Sequence, residues 1–446
     1  MNLLLKFSTI FLGAAAIVSC GNSTASGEPI VNKESEEKVL DRVNLLIQEK
    51  KECLEQKNRL LHESCFEAPL SWSKKDYAWD PEGQTVLIME RENPTILTLG
   101  RYRHRMRDIL EISDHGTYST TAKQEVTVSK GFAEISEISG HLKPYIPAER
   151  FSKVSNEIYK AFAADLEKLE GGHSSVSVSI IGEYTPSTSL VIAPPPLAPA
   201  EILCKKDWAE FDTYINNASA SLAAKVRENS VSVINISGGD DRRTAAALFK
   251  YLCPGLSVTR EDEDRYLDIV KKFYFNLETL AGVVVVQSAV GNGNRPEDFP
   301  IDCPTKNPSN RLRIGFLLDG TNTSLPQAGA ALHQGYENLL TDPSRPDHPC
   351  IDAYFNSGIS YGGTLNRHSL RSSVGFSFER IQLMTTSWIA PLATAAIVSA
   401  KKTSLQGLSG AEIVKSILKP GYPAVHDPLG NKSLEAFKEH IFEDTP

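Results

Sequence analysis

Apolar and polar positions divide this chain into short unbroken runs and longer periodic stretches. Val86-Leu-Ile-Met89, Val231-Ser-Val-Ile-Asn-Ile236 and Val283-Val-Val-Val286 are short apolar runs bounded by turn residues. Such runs predict strands buried on both faces, the habit of a parallel sheet. Arg313-Ile-Gly-Phe-Leu-Leu-Asp319 reads as a further strand, and Gln124-Glu-Val-Thr-Val-Ser129 also reads as a strand. Helical spacing appears elsewhere. Phe151, Val154, Ile158, Phe162, Leu166 and Leu169 form one stripe, stopped by Gly171-Gly172. Ala218–Arg227 and Leu408–Leu418 read as helices, as does the charged segment from Glu34 to roughly Leu61.

Met384-Thr-Thr-Ser-Trp-Ile-Ala-Pro391 runs into Leu-Ala-Thr-Ala-Ala-Ile-Val-Ser-Ala-Lys401. This predicts a helix apolar enough to be buried, with Pro391 in its first turn, where a missing N–H costs little. Ser387 then sits at the helix mouth, among unpaired N–H groups and the positive end of the dipole. That suits a nucleophile whose reaction creates an oxyanion, but this stretch by itself favours a plain helix cap.

The N-terminus reads as an export signal. Lys6 precedes an apolar core from Phe7 to Val18 that is short for a bilayer span. It ends in Val18-Ser-Cys-Gly21, which resembles a bacterial lipoprotein lipobox, so Cys20 would be the lipidated residue and the protein would be held at the cell envelope. Seven cysteines less Cys20 leave an even set, which in an exported chain suggests disulfides. Pairing neighbours gives Cys53–Cys65, Cys204–Cys253 and Cys303–Cys350 among fifteen connectivities. The net charge of −8 argues against nucleic acid as a partner, and no CxxC or His-rich spacing suggests a metal.

Taken in order, several of these blocks resemble the subtilisin-like serine proteases. Thr385-Thr386-Ser387, followed by Trp-Ile-Ala-Pro, is similar to that family's nucleophile block. His173-Ser-Ser-Val-Ser-Val-Ser-Ile-Ile-Gly182 resembles its histidine helix, and Val191-Ile-Ala-Pro194 with Pro199–Lys205 resembles the turn and strand after it. Val231–Gly239 is similar to its central strand and substrate-binding edge, and Gly291-Asn292 to its oxyanion asparagine. The resemblance implies a doubly wound parallel α/β sheet flanked by helices, with the site at the carboxyl ends of the strands. It also implies residue roles. Ser387 is the nucleophile, His173 the base, Glu90 the acid after the first core strand, Asn292 the oxyanion donor, and Ser237, Gly238 and Gly239 the substrate edge.

This chain departs from the family pattern in three places. Glu90 stands for the usual aspartate, Ser174-Ser175 for Gly-Thr, and Thr385 for Gly. Asp114-His115-Gly-Thr117 offers a rival histidine tripeptide, but the family's later landmarks lie too far from it. Glu92 is the nearest competitor to Glu90, and Asp240 and Asp241 bias a nearby pocket toward basic side chains. The implied domain map is a signal peptide over 1–19, an N-terminal helical segment over 20–79 and a peptidase domain over 80–446, with insertions near 91–170 and 295–350. The expected activity is peptide-bond hydrolysis through an acyl-enzyme. The alternative is an impaired, protease-like binding module at the envelope. No cofactor is required for this chemistry. Calcium is common in the family, but the sequence places no site for it.

Overall fold

The run Val86–Met89 lies in the middle of the sheet. The structure is a computed structural model that describes residues 33–55, 62–73, 83–102, 105–121, 123–139, most of 154–168, 173–185, 187–288, 309–317, 352–356 and 386–418. Its strands are β1 (Glu67–Ser73), β2 (Thr85–Met89), β3 (Met106–Ile112), β4 (Tyr118–Thr120), β5 (Lys123–Ser129), β6 (Ser189–Ala193), β7 (Val231–Ile236), β8 (Val284–Ser288), β9 (Arg311–Leu317) and β10 (Ala353–Asn356). The main sheet has the order β10-β9-β8-β7-β2-β6-β3-β4. Its pairs are parallel except β3 with β4. β2 is fully buried because it lies between β6 and β7 with helices above and below.

Alternation along β2 sorts the core into two layers. Val86 and Ile88 join one apolar cluster, Leu87 and Met89 the other. The first face carries the helices His173–Tyr184, Thr386–Lys401 and Gly410–Leu418. The second carries Ala200–Lys205, Trp208–Glu228, Arg242–Leu252 and Arg260–Leu277. The fold class is therefore α/β, a parallel-rich sheet with helices on both faces.

The helix Thr386–Lys401 is apolar all round and accordingly buried, with Ala390, Ala393 and Ala396 inaccessible. Pro391 is its sixth residue, not part of the expected first turn. With no N–H to give, Pro391 leaves the Ser387 carbonyl without its helical donor.

The N-terminal segment is not helical alone. It ends in β1, which pairs antiparallel with β5 from Glu67 opposite Ser129 to Ser73 opposite Lys123. The helix Lys33–Glu55 packs on Lys130–Ser139, and Lys50 Nζ lies 2.9 Å from a buried Asp165 oxygen. Cys53 is bonded to Cys65, and Cys204 to Cys253. The stretch 91–170 is more than an insertion, since it supplies β3 and β4 to the main sheet. Pro199–Lys205, expected as turn and strand, holds the short helix Ala200–Lys205, N-capped by Pro199. Cys20, the Cys303–Cys350 pair and Asn292 lie outside the described residues. Among the described residues no helix is long and apolar enough to cross a membrane.

Candidate active site

Glu90 is the first residue past β2. Its N–H extends the ladder to the Ala193 carbonyl at 3.0 Å. Ile88 faces the first helical layer, so alternation turns the Glu90 side chain to the same face, under the histidine helix. There Glu90 Oε2 lies 2.8 Å from His173 Nδ1. An ionised carboxylate only accepts, so the neutral imidazole carries its proton on Nδ1 and presents Nε2 as its basic nitrogen. Burial pushes the His173 pKa down. The hydrogen bond and charge of Glu90, with the charge of Glu92, outweigh it, and the net movement is upward. Glu92 is not the ring's partner. Its Oε1 accepts the His173 backbone N–H at 2.7 Å, satisfying an open donor at the helix start.

A file of hydroxyls and one amide runs from Glu90 to the far helix. Ser177 Oγ donates to Glu90 Oε1 at 2.5 Å and lies 3.2 Å from Ser237 Oγ. Asn235 Nδ2 donates to Ser237 at 2.9 Å, and Thr394 Oγ1 donates to Asn235 Oδ1 at 3.0 Å. Ser177 spends its proton on Glu90, so Ser237 donates to Ser177. Every donor in the file then points toward Glu90.

Thr394 belongs to the Ser387 helix. That helix packs on the histidine helix and runs antiparallel to the strands. Lys401 Nζ reaches the Ser232 carbonyl, Gln84 the Val398 carbonyl, and Thr394 the side chain of Asn235. From Thr394 back to Ser387 the helix rises roughly 10 Å. Ser387, half-buried, therefore lies toward the end of the sheet at which β2 delivers Glu90.

At that end opens a cleft of about 440 Å³. It is lined by Glu90, Glu92 and His173, by Pro195–Leu197 after β6, by Ser237–Asp240 after β7, and by Phe273 and Tyr274 of the helix Arg260–Leu277. Ser387 is not among the described residues lining it. Gly238 and Gly239 present backbone to the cleft, and a side chain at Gly238 would meet nothing within 4 Å. Ser237 is instead turned inward, with its hydroxyl in the file to Glu90. The Gly238 carbonyl is held by Gln287 Nε2 at 3.1 Å. Gln287 is oriented by buried Arg311, whose Nη1 donates to Gln287 Oε1 at 3.0 Å while Nε and Nη2 donate to Glu278 Oε1. The two adjacent aspartates diverge. Asp241 caps the helix Arg242–Leu252 by accepting from Thr244 N at 2.7 Å, whereas Asp240 lines the cleft and accepts from Tyr274 Oη at 2.7 Å.

His115 lies elsewhere. It sits in the exposed turn between β3 and β4, and its carbonyl accepts from Asn217 on the opposite helical layer. Among the described residues no cluster of three or more His, Cys, Asp or Glu could hold a metal. Ser177, Asn235, Thr394 and Gln287 escaped the sequence reading. Each is a polar residue inside an apolar strand or helix, and a buried polar side chain must find a partner. That signal was available, but it did not say which partner.

No family model matches the chain, and no curated protein does. Among solved structures the chain is similar to the prenylagaramide maturation protease PagA, at 13% identity over 61% of this chain and 83% of that one, with a TM-score of 0.29. It is also similar to a lanthipeptide protease, at 13% identity over 61% of this chain and 76% of that one, with a TM-score of 0.32.

Proposed function

We propose that the protein is a serine endopeptidase of the subtilisin-like kind, held at the cell envelope by a lipid on Cys20. The observation that carries the reading is the contact of 2.8 Å between Glu90 and His173 Nδ1 at the carboxyl end of the central strands. In this reading Ser387 Oγ attacks a peptide carbonyl carbon and His173 Nε2 takes its proton. The carbonyl oxygen becomes an oxyanion, held by N–H groups at the helix start and by Asn292. His173 then protonates the leaving amine, and water hydrolyses the acyl-enzyme by the same route reversed. Glu90 keeps the imidazole in the accepting tautomer and stabilises the imidazolium. A peptide laid along Gly238-Gly239 supplies the substrate.

The test is reaction of the purified protein with a serine-directed fluorophosphonate. Stoichiometric labelling that disappears in Ser387→Ala is expected. A folded protein that takes no label would instead be a binding module on a protease-like scaffold.

A further inference from the structure

Glutamate in the acid position carries one more methylene, and so one more rotatable bond, than aspartate. A longer acid has more ways to turn away from the imidazole. Ser177, four residues after His173 on the same helix, is fully buried and gives its proton to the second oxygen of Glu90 at 2.5 Å. A hydroxyl inside a helix usually bonds back to the carbonyl four residues earlier. Ser136 and Ser219 do so at 2.9 and 2.8 Å, and Thr185 and Thr213 follow the same pattern. Ser177 donates to Glu90 instead, and Ser237 supports it from behind at 3.2 Å.

We infer that Ser177 is a positioning residue: it holds the second oxygen of Glu90, so that two side chains one turn apart grip both ends of the carboxylate and the longer acid meets the imidazole in one geometry. The role rests on the peptidase reading for its consequence, but the grip itself does not depend on Ser387.

The experiment measures two quantities in wild type, Ser177→Ala and the matched helical control Ser219→Ala. One is the titration of His173 by NMR of histidine-labelled protein. The other is the pH-dependent rate of fluorophosphonate labelling. Ser177→Ala is expected to lower the His173 pKa and to slow labelling about tenfold, the worth of one hydrogen bond to a charged group. It should add nothing in a Glu90→Gln background, because Ser177 acts only through the carboxylate. Ser219→Ala should leave both readouts unchanged. If Ser177→Ala does not fold, Ser237→Ala removes the support one step back and should move His173 in the same direction by less. An unchanged or raised His173 pKa in these variants, or full additivity with Glu90→Gln, would overturn the inference. A wild type that takes no label while Ser177→Ala still lowers the His173 pKa would sink the peptidase reading and leave the grip standing.

Discussion

The two faces of the sheet hold helices of different kinds. On the second face each long helix is amphipathic and closes its own N-terminus. Asp207 accepts from Glu210 N at 3.0 Å, Asp241 from Thr244 N at 2.7 Å, and Thr259 forms a capping box with Asp262. On the first face the helices that carry His173 and Ser387 are largely buried, the former rich in Ser and the latter in Ala. The first N–H of the histidine helix is closed by Glu92, which comes from the end of β2. Local rules thus close the long helices of the second face and also Gly410–Leu418 on the first, where Ser409 and Glu412 cap each other, while the histidine helix is closed by a contact from a distant segment. The proposed chemistry therefore sits where a helix start is closed by a residue from a distant segment rather than by its own cap.

The comparison breaks most sharply at Glu90. Glu90→Gln should lower the labelling rate on the order of 10⁴, since an amide favours the wrong imidazole tautomer. The loss should nearly vanish in a His173→Ala background, because members of one unit are non-additive. Glu92→Gln, which leaves the ring's own partner in place and removes only a neighbouring charge, is the comparison and should slow labelling far less. The pH profile sharpens the same point. Serine attack needs neutral His173, whose pKa is raised, so labelling should rise with pH through a midpoint above the ordinary histidine value of about 6.5. Glu90→Gln should move that midpoint down. The sign for stability is opposite. A group whose folded-state pKa is raised stabilises fully below its unfolded value of about 6.5, and this contribution is lost as pH rises through the folded value.

Thr394→Val comes next. It leaves the buried side-chain amide oxygen of Asn235 without the donor it has at 3.0 Å, which should cost about 1–3 kcal/mol in denaturant unfolding. It should also loosen the Ser387 helix against β7, so labelling should slow as well. Gly238→Ala should leave stability unchanged, since a side chain there meets nothing within 4 Å. It should weaken cleavage of long peptides by about tenfold, a clash in a bound-substrate edge rather than in the fold. Labelling by a small fluorophosphonate should not change, and equal loss of both would remove Gly238 from the substrate edge. The smallest effect belongs to the second face. Thr259→Ala removes a cap and should cost about 1 kcal/mol without moving the His173 titration.

How much was legible differs along the same line. Val86–Met89 and Val283–Val286 announced themselves as central strands because burial on both faces demands an unbroken apolar run. Glu90 and His173 were singled out by resemblance to a family pattern rather than by periodicity, and the fold brings their side chains to 2.8 Å. Burial states the requirement for a partner, but the partner is chosen by the register of segments far apart in the chain. Asp240 and Asp241 are chemically identical neighbours, yet one caps a helix and the other lines the cleft. Lys123–Ser129 was legible as a strand, but nothing local told it to pair with Glu67–Ser73 rather than join the main sheet. Ser177 shares a helical face with His173, which spacing alone predicts. That its proton goes to Glu90, and not to the carbonyl one turn back, follows only when β2 delivers a carboxylate to that spot. Local periodicity reflects how deeply a residue is buried, whereas the direction of a buried hydrogen bond depends on which distant atom arrives beside it.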